Sequence, residues 1–143
     1  MSTLEKAIEI SAKAHAGQID KAGKPYIIHP IRVMLRMESI PEQIVAVLHD
    51  VVEDSAVTID DLASEGFSKA ILDAVDAITK RHGETRMDAA KRAASNPIAL
   101  TVKLADNAEN MDLGRIKNPS TTDLERHEEY KKVREYLLSE LKH

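Results

Sequence analysis

Apolar residues recur at intervals of three and four along most of the chain, and no stretch alternates apolar with polar residues over the length of a strand. Stripes of that period are buried by packing helix on helix, so an all-α domain is expected. Ser2 and Glu5 form a capping-box pattern ahead of a helix over about 3–16 whose small and apolar face carries Leu4, Ala7, Ile8 and Ser11. Pro30 and Pro41 each stand at a favoured helix start, the second leading into Ile44, Val47, Leu48 and Val51 at the spacing of a buried stripe. Thr58 with Asp61 predicts a short helix over 59–65 that Gly66 ends. A further helix over 68–80 turns Ile71, Leu72, Val75 and Ile78 inward, and a polar turn follows at His82-Gly83. Asn96-Pro97 opens a helix reaching about Met111. Thr121 or Thr122 caps a last one with Tyr130, Val133, Leu137 and Leu141 on one face. With 143 residues and no internal repeat, one domain over 1–143 is expected, large enough to bury a core without staples.

Composition narrows the chemistry. The sequence has no cysteine, which removes a thiol nucleophile, a thiolate zinc site and any disulfide framework. A net charge of -4 and a pI near 5.9 give no electrostatic case for nucleic acid or an anionic membrane, although a local basic pocket could hold a phosphorylated small molecule. The longest apolar run, Ile44 to Leu48, is far short of a membrane span, and the N-terminus lacks the apolar stretch of a signal peptide, so a cytoplasmic setting is expected.

One cluster needs explaining: His49-Asp50 ends an apolar run and is followed at once by Glu53 and Asp54. On a continuous helix His49 would lie above Glu53 and Asp50 above Asp54, two polar ridges at one helix end. A solvated last turn is the ordinary reading of such a pair. His29, at a helix mouth before Pro30, and Asp106, set in the apolar run Val102-Lys-Leu-Ala-Asp106, each have an ordinary reading too, as a cap or a half-exposed acid. Taken together they supply two imidazoles and two carboxylates, a donor set suited to Mn²⁺, Fe²⁺ or Zn²⁺. Four such ligands on an octahedral ion leave positions for water and substrate.

The order His29, His49-Asp50, Asp106 resembles the signature of the HD superfamily of metal-dependent phosphohydrolases. The text around it is similar to that of small alarmone hydrolases related to the RelA/SpoT hydrolase domain. The matching blocks are His15-Ala-Gly-Gln18, Gly23-Lys-Pro-Tyr-Ile-Ile-His29-Pro30, Leu48-His-Asp-Val-Val-Glu-Asp54, and Val102-Lys-Leu-Ala-Asp106 with Asn110 four residues on. The resemblance implies a compact HD-domain bundle of about seven or eight helices and one divalent metal, most readily Mn²⁺, on His29, His49, Asp50 and Asp106. It also implies removal of the 3′-diphosphate of guanosine tetra- or pentaphosphate. Glu53 would then be the general base and Asp54 its positioning partner or acid. Lys21, Lys24, Lys103, Asn110 and Tyr130 would be the candidate substrate contacts. Solvated lysines, an ion pair between Lys103 and Asp106, and a core Tyr130 are the ordinary alternatives.

Two departures bear on the substrate. Asp20 stands where a phosphate-contacting arginine is expected, and a carboxylate there would repel a polyphosphate. Glu109 stands where His or Tyr is more usual before Asn110. Three readings stay open: an alarmone hydrolase, an HD phosphohydrolase acting on another phosphorylated nucleotide such as an adenosine alarmone, NADPH or a deoxynucleoside triphosphate, and a non-catalytic nucleotide-binding HD domain. The partner in each is a small phosphorylated nucleotide, a homo-oligomer of the chain is compatible with all of them, and no alarmone synthetase domain is expected within these 143 residues.

Overall fold

The computed structural model describes residues 2–112 and 118–141, and among these every regular element is a helix. Nine helical segments follow one another: α1 (Leu4–Ala14), α2 (Ile28–Leu35), α3 (Ile40–Leu48), α4 (Val51–Asp54), α5 (Ile59–Ser64), α6 (Lys69–Ile78), α7 (Arg86–Ala94), α8 (Pro97–Asn110) and α9 (Thr121–Leu141). The all-α bundle expected from the apolar periodicity is the fold that forms, and α3 with α4, counted as one interrupted helix, brings the number to eight.

α3 is the central element, because its run Ile44 to Leu48 is apolar on every side and wholly buried. A helix apolar all round has no solvent face and has to be covered on all sides. α1, α2, α6 and α8 supply that cover, with Ala7, Val33, Val75 and Val102 fully buried around it. A smaller apolar cluster of Ala90, Leu100, Val133 and Leu137 joins α7, α8 and α9 and docks the long C-terminal helix. Leu141, expected on the same face as Val133 and Leu137, is exposed instead, since α9 runs past the end of the partners that cover those two.

Local chemistry sets the helix starts. Thr3, not Ser2, caps α1, its hydroxyl accepting from Lys6 N–H at 3.1 Å. Reciprocal capping boxes begin three helices, Ser39 with Glu42 at α3, Thr58 with Asp61 at α5, and Thr85 with Asp88 at α7. α7 is absent from the sequence reading, which passes from the turn at His82-Gly83 to Asn96. Its fully inward residues are Ala89, Ala90 and Ala93, with Met87 and Ala94 partly buried beside them, and alanines are too small to stand out as a stripe. Gly66, at φ 93°, ends α5 in the left-handed conformation expected of a helix-terminating glycine. The loop between α1 and α2 is pinned by a bridge between Ile19 and Pro25 and by Tyr26 N–H donating to Gln18 O at 2.9 Å. Among the described residues no helix is long and apolar enough to cross a membrane.

Candidate active site

Burial of α3 carries its C-cap residue, His49, into the interior, and there the helix stops. His49 N–H reaches back only to Ala46 O at 3.4 Å, and Asp50 takes φ -105° and ψ -2°, outside the regular helical range. The helix is thus interrupted at His49-Asp50, where continuity is expected, although Asp54 N–H still donates to Asp50 O at 2.9 Å, the i, i+4 link of a helical turn. The break turns the Asp50 carboxylate back onto its neighbour, with Oδ2 3.0 Å from His49 Nε2. His29, buried in the first turn of α2, and Asp106, buried on α8, close the cluster, with His29 Nε2 2.8 Å and His49 Nε2 3.3 Å from Asp106 Oδ1. One ligand atom from each of His29, His49, Asp50 and Asp106 lies within 4.8 Å of the other three.

The electrostatics of this quartet show what it fits. His49 Nδ1 lies 2.5 Å from Ala46 O, so the ring proton belongs there and Nε2 presents a lone pair toward two carboxylates. Acceptors facing acceptors in a buried place require a cation between them, either a proton or a metal ion. Burial disfavours charge on His49, but Asp50 and Asp106 outweigh it and raise its pKa well above the ordinary value. Burial likewise opposes ionisation of Asp106, yet Lys103, then His49, hold it well below the carboxylate range. Asp50 is lowered too, against its own burial, chiefly by His49. Two nitrogens and two ionised oxygens converging in this way are a donor set for a divalent first-row ion.

Neighbouring groups orient the carboxylates. Tyr26 Oη donates to Asp50 Oδ2 at 2.5 Å. Lys103 Nζ donates to Asp106 Oδ2 at 3.1 Å, and Asn110 Nδ2 to Asp106 Oδ1 at 3.2 Å. Burial, then the Asp50 charge, pushes the Tyr26 hydroxyl far up, so it stays a donor. The quartet opens into a cleft of about 270 Å³ lined also by Glu53, Lys80, Arg86 and Tyr130. Partial desolvation, then Asp50, raises Glu53, while Lys103 and Lys80 pull the other way. A second hollow of about 260 Å³ shares Tyr26, His29, Asn110 and Tyr130 with the first and extends to Lys21, Arg126 and His127.

The structure sorts the remaining expectations. Lys103, Asn110 and Tyr130 line the cleft beside the quartet, and Arg86 lies 5.3 Å from the centroid of the Tyr130 ring, so Tyr130 is a cleft wall as well as the start of the α9 stripe. Lys21 reaches the second hollow and pairs with Asp123 at 3.0 Å, while Lys24 lies outside both hollows on the outer side of its loop. Glu53 faces the cleft and Asp54 is not among its lining residues. Both departures from the resembled pattern have local partners. Asp20 Oδ1 accepts from Ala22 and Lys24 N–H at 2.9 and 3.0 Å, capping its own loop, and Glu109 pairs with Arg36 at 2.5 Å. Tyr26, Lys80 and Arg86 are additions to the sequence reading. Tyr26 stands three residues before His29, one helical turn from a candidate ligand, a spacing that could have marked it. Lys80 and Arg86 flank the turn before the unexpected α7 and carry no local signal.

No family model matches the chain. Curated proteins do. A probable GTP pyrophosphokinase of Mycobacterium leprae is 34% identical over 133 residues, covering 83% of this chain and 17% of that protein. A guanosine-3′,5′-bis(diphosphate) 3′-pyrophosphohydrolase of Borreliella burgdorferi is 36% identical over 121 residues, covering 74% of this chain and 18% of that protein. The chain thus spans less than a fifth of the length of these curated relatives. A solved metazoan ortholog of SpoT, described as hydrolysing ppGpp, superposes with a TM-score of 0.78 at 21% identity over 99% of this chain and 86% of that one, which shows a shared fold.

Proposed function

We infer that this chain, a homologue of the RelA/SpoT proteins across the segment it shares with them, is a metal-dependent phosphohydrolase that removes the 3′-diphosphate of guanosine tetra- or pentaphosphate. The observation that carries the reading is the largely buried quartet of His29, His49, Asp50 and Asp106, two imidazoles and two carboxylates from three parts of the chain whose ligand atoms lie within 4.8 Å of one another. One divalent ion held there, Mn²⁺ by our reading, would lower the pKa of a water and offset charge on a phosphoryl oxygen.

The chain's own residues do the rest. In the reaction, water attacks the phosphorus bonded to the 3′ oxygen, that oxygen leaves and takes up a proton, and pyrophosphate departs from GDP or GTP. Glu53, with its pKa raised and its side chain in the cleft, takes the proton of the attacking water. Asp54, pushed up to about 6 by partial desolvation and then by Asp50 and Glu53, supports that residue from the cleft's edge. Lys80 and Arg86 receive the diphosphate, and Lys103 and Asn110 hold Asp106 in place. Tyr26 and Tyr130 form the wall shared with the second hollow, which accepts the nucleoside. A single domain working on free nucleotide in the cytoplasm is the setting this reading implies.

The test is Mn²⁺-supplemented hydrolysis of guanosine and adenosine 3′,5′-polyphosphates, NADPH and deoxynucleoside triphosphates, with products separated by chromatography. Pyrophosphate and GDP from guanosine tetraphosphate, at the highest kcat/KM of the panel, are expected. Preference for another nucleotide would keep the phosphohydrolase and replace the substrate, and no turnover of any of them would leave a binding domain.

A further inference from the structure

α4 is a single turn of four residues carrying both Glu53 and Asp54, and a helix that short does not hold its own shape. Its carbonyls are satisfied from outside its own ladder. Ser55 Oγ donates to Val51 O at 2.6 Å, and Gln18, thirty-six positions earlier in the loop after α1, donates from Nε2 to Asp54 O at 3.0 Å. The same Nε2 donates to Ala14 O at 3.3 Å, so both amide hydrogens go to the carbonyl ends of two helices. That settles the amide's orientation: Gln18 Oε1 must accept, and it lies 2.8 Å from His15 Nδ1. The proton between them therefore sits on His15 Nδ1. His15 is buried, and its ring lies 5.0 Å from that of Tyr26, the residue that donates to Asp50.

We propose that His15 and Gln18 form a clamp that positions the Glu53–Asp54 turn against the metal quartet, His15 locking the Gln18 amide and Gln18 holding the end of α4. The inference rests on the functional reading given above for Glu53 and Asp54, and it adds two positioning residues that touch neither the metal nor the nucleotide. His29, His49 and Asp106 are held by α2, the end of α3 and α8, whereas the turn bearing the acids, which Asp50 precedes, is tied by Gln18 to α1, an element that contributes no residue to the quartet. Loss of the clamp should leave the ion's ligands undisturbed and let the acids drift, a displacement that costs turnover rather than binding.

Two variants separate this role from general packing. Gln18→Met keeps the volume and removes both donors, and Gln18→Glu keeps an acceptor for His15 Nδ1 while removing the donation to Asp54 O. Backbone hydrogen exchange over residues 51–57 should quicken in both variants, with exchange in α2, α3 and α8 unchanged. In turnover of guanosine tetraphosphate, kcat should fall about 10- to 100-fold, with KM and the Mn²⁺ dissociation constant within about twofold of wild type. Unchanged exchange over 51–57 overturns the clamp whatever the substrate proves to be, since that readout needs no activity. Faster exchange with undiminished kcat also overturns it, and so does a loss of Mn²⁺ affinity that matches the loss of turnover. An inactive wild type with faster exchange in the variants would instead set aside the reaction and leave the clamp standing.

Discussion

The quartet of His29, His49, Asp50 and Asp106 and the α4 turn sit side by side and are built in opposite ways. His29, His49 and Asp106 are buried and Asp50 is partly so; the four come from α2, the α3–α4 junction and α8, where aliphatic residues such as Val33, Leu48 and Val102 are fully buried. Glu53 and Asp54 are exposed, stand on one turn of helix, and depend on polar ties to Gln18 and Ser55. The difference teaches where rigidity is placed. Converging charges need an unyielding frame because displacement leaves them unpaired in a low-dielectric interior, whereas a group that moves a proton must reach both solvent and substrate.

His49→Ala or Asp50→Ala is expected to abolish both metal retention and turnover, because each ligand also orders its neighbours. Elemental analysis beside an activity assay checks this, and wild-type metal content with full turnover in Asp50→Ala would take that residue out of the site. Glu53→Gln should spare the frame, keeping metal content and thermal stability while turnover drops about 10²-fold or more. Near-normal turnover would move the base role to another group.

Lys80→Ala sharpens the contrast on the substrate side. Lys80 is exposed at the cleft, so its loss should raise KM several-fold with a smaller change in kcat, and the effect should shrink as salt rises. Steady-state kinetics at two ionic strengths decide it, and a salt-independent effect confined to kcat would contradict a phosphate-receiving role.

The smallest effect is on stability. The Asp54 carboxyl sits at about 6 against an ordinary 3.8, so the folded protein holds its proton more tightly than the unfolded chain does. Ionising it costs stability progressively as pH rises from about 4 to about 6, and the whole cost stands above that range. Because the group is exposed, screening keeps the cost small. Asp54→Asn in metal-free protein should therefore raise Tm by about 1–3 °C at pH 7.5, with the difference gone below about pH 4. A Tm that falls at pH 7.5 would show that the ionised carboxylate makes a favourable contact.

Much of the fold is legible in the chain because large aliphatic residues mark the buried faces of α3, α6 and α8, and Pro, Gly and Thr mark helix ends. α7 is hidden because alanines bury its inner face without the volume that makes a stripe visible, and with it go Lys80 and Arg86, which the α6–α7 turn brings to the cleft. The four residues of the quartet are recognisable as polar intrusions in apolar runs. Their convergence is not, since it depends on the helix breaking at His49-Asp50 where periodicity predicts continuity. Lys24 lies five residues before His29, yet in the turn capped by Asp20 it lines a separate hollow with Ile28 and Arg32 and neither hollow beside the quartet.

The central claim is that His29, His49, Asp50 and Asp106 hold one divalent ion on which turnover depends. Its most direct test is titration of chelator-stripped protein with Mn²⁺, following free Mn²⁺ by electron paramagnetic resonance and hydrolysis of guanosine tetraphosphate on the same samples. One ion bound per chain, with activity rising in proportion to occupancy and both lost in Asp106→Ala, is the expected result. Full activity in the stripped protein, or Mn²⁺ binding unaffected by Asp106→Ala, would contradict it.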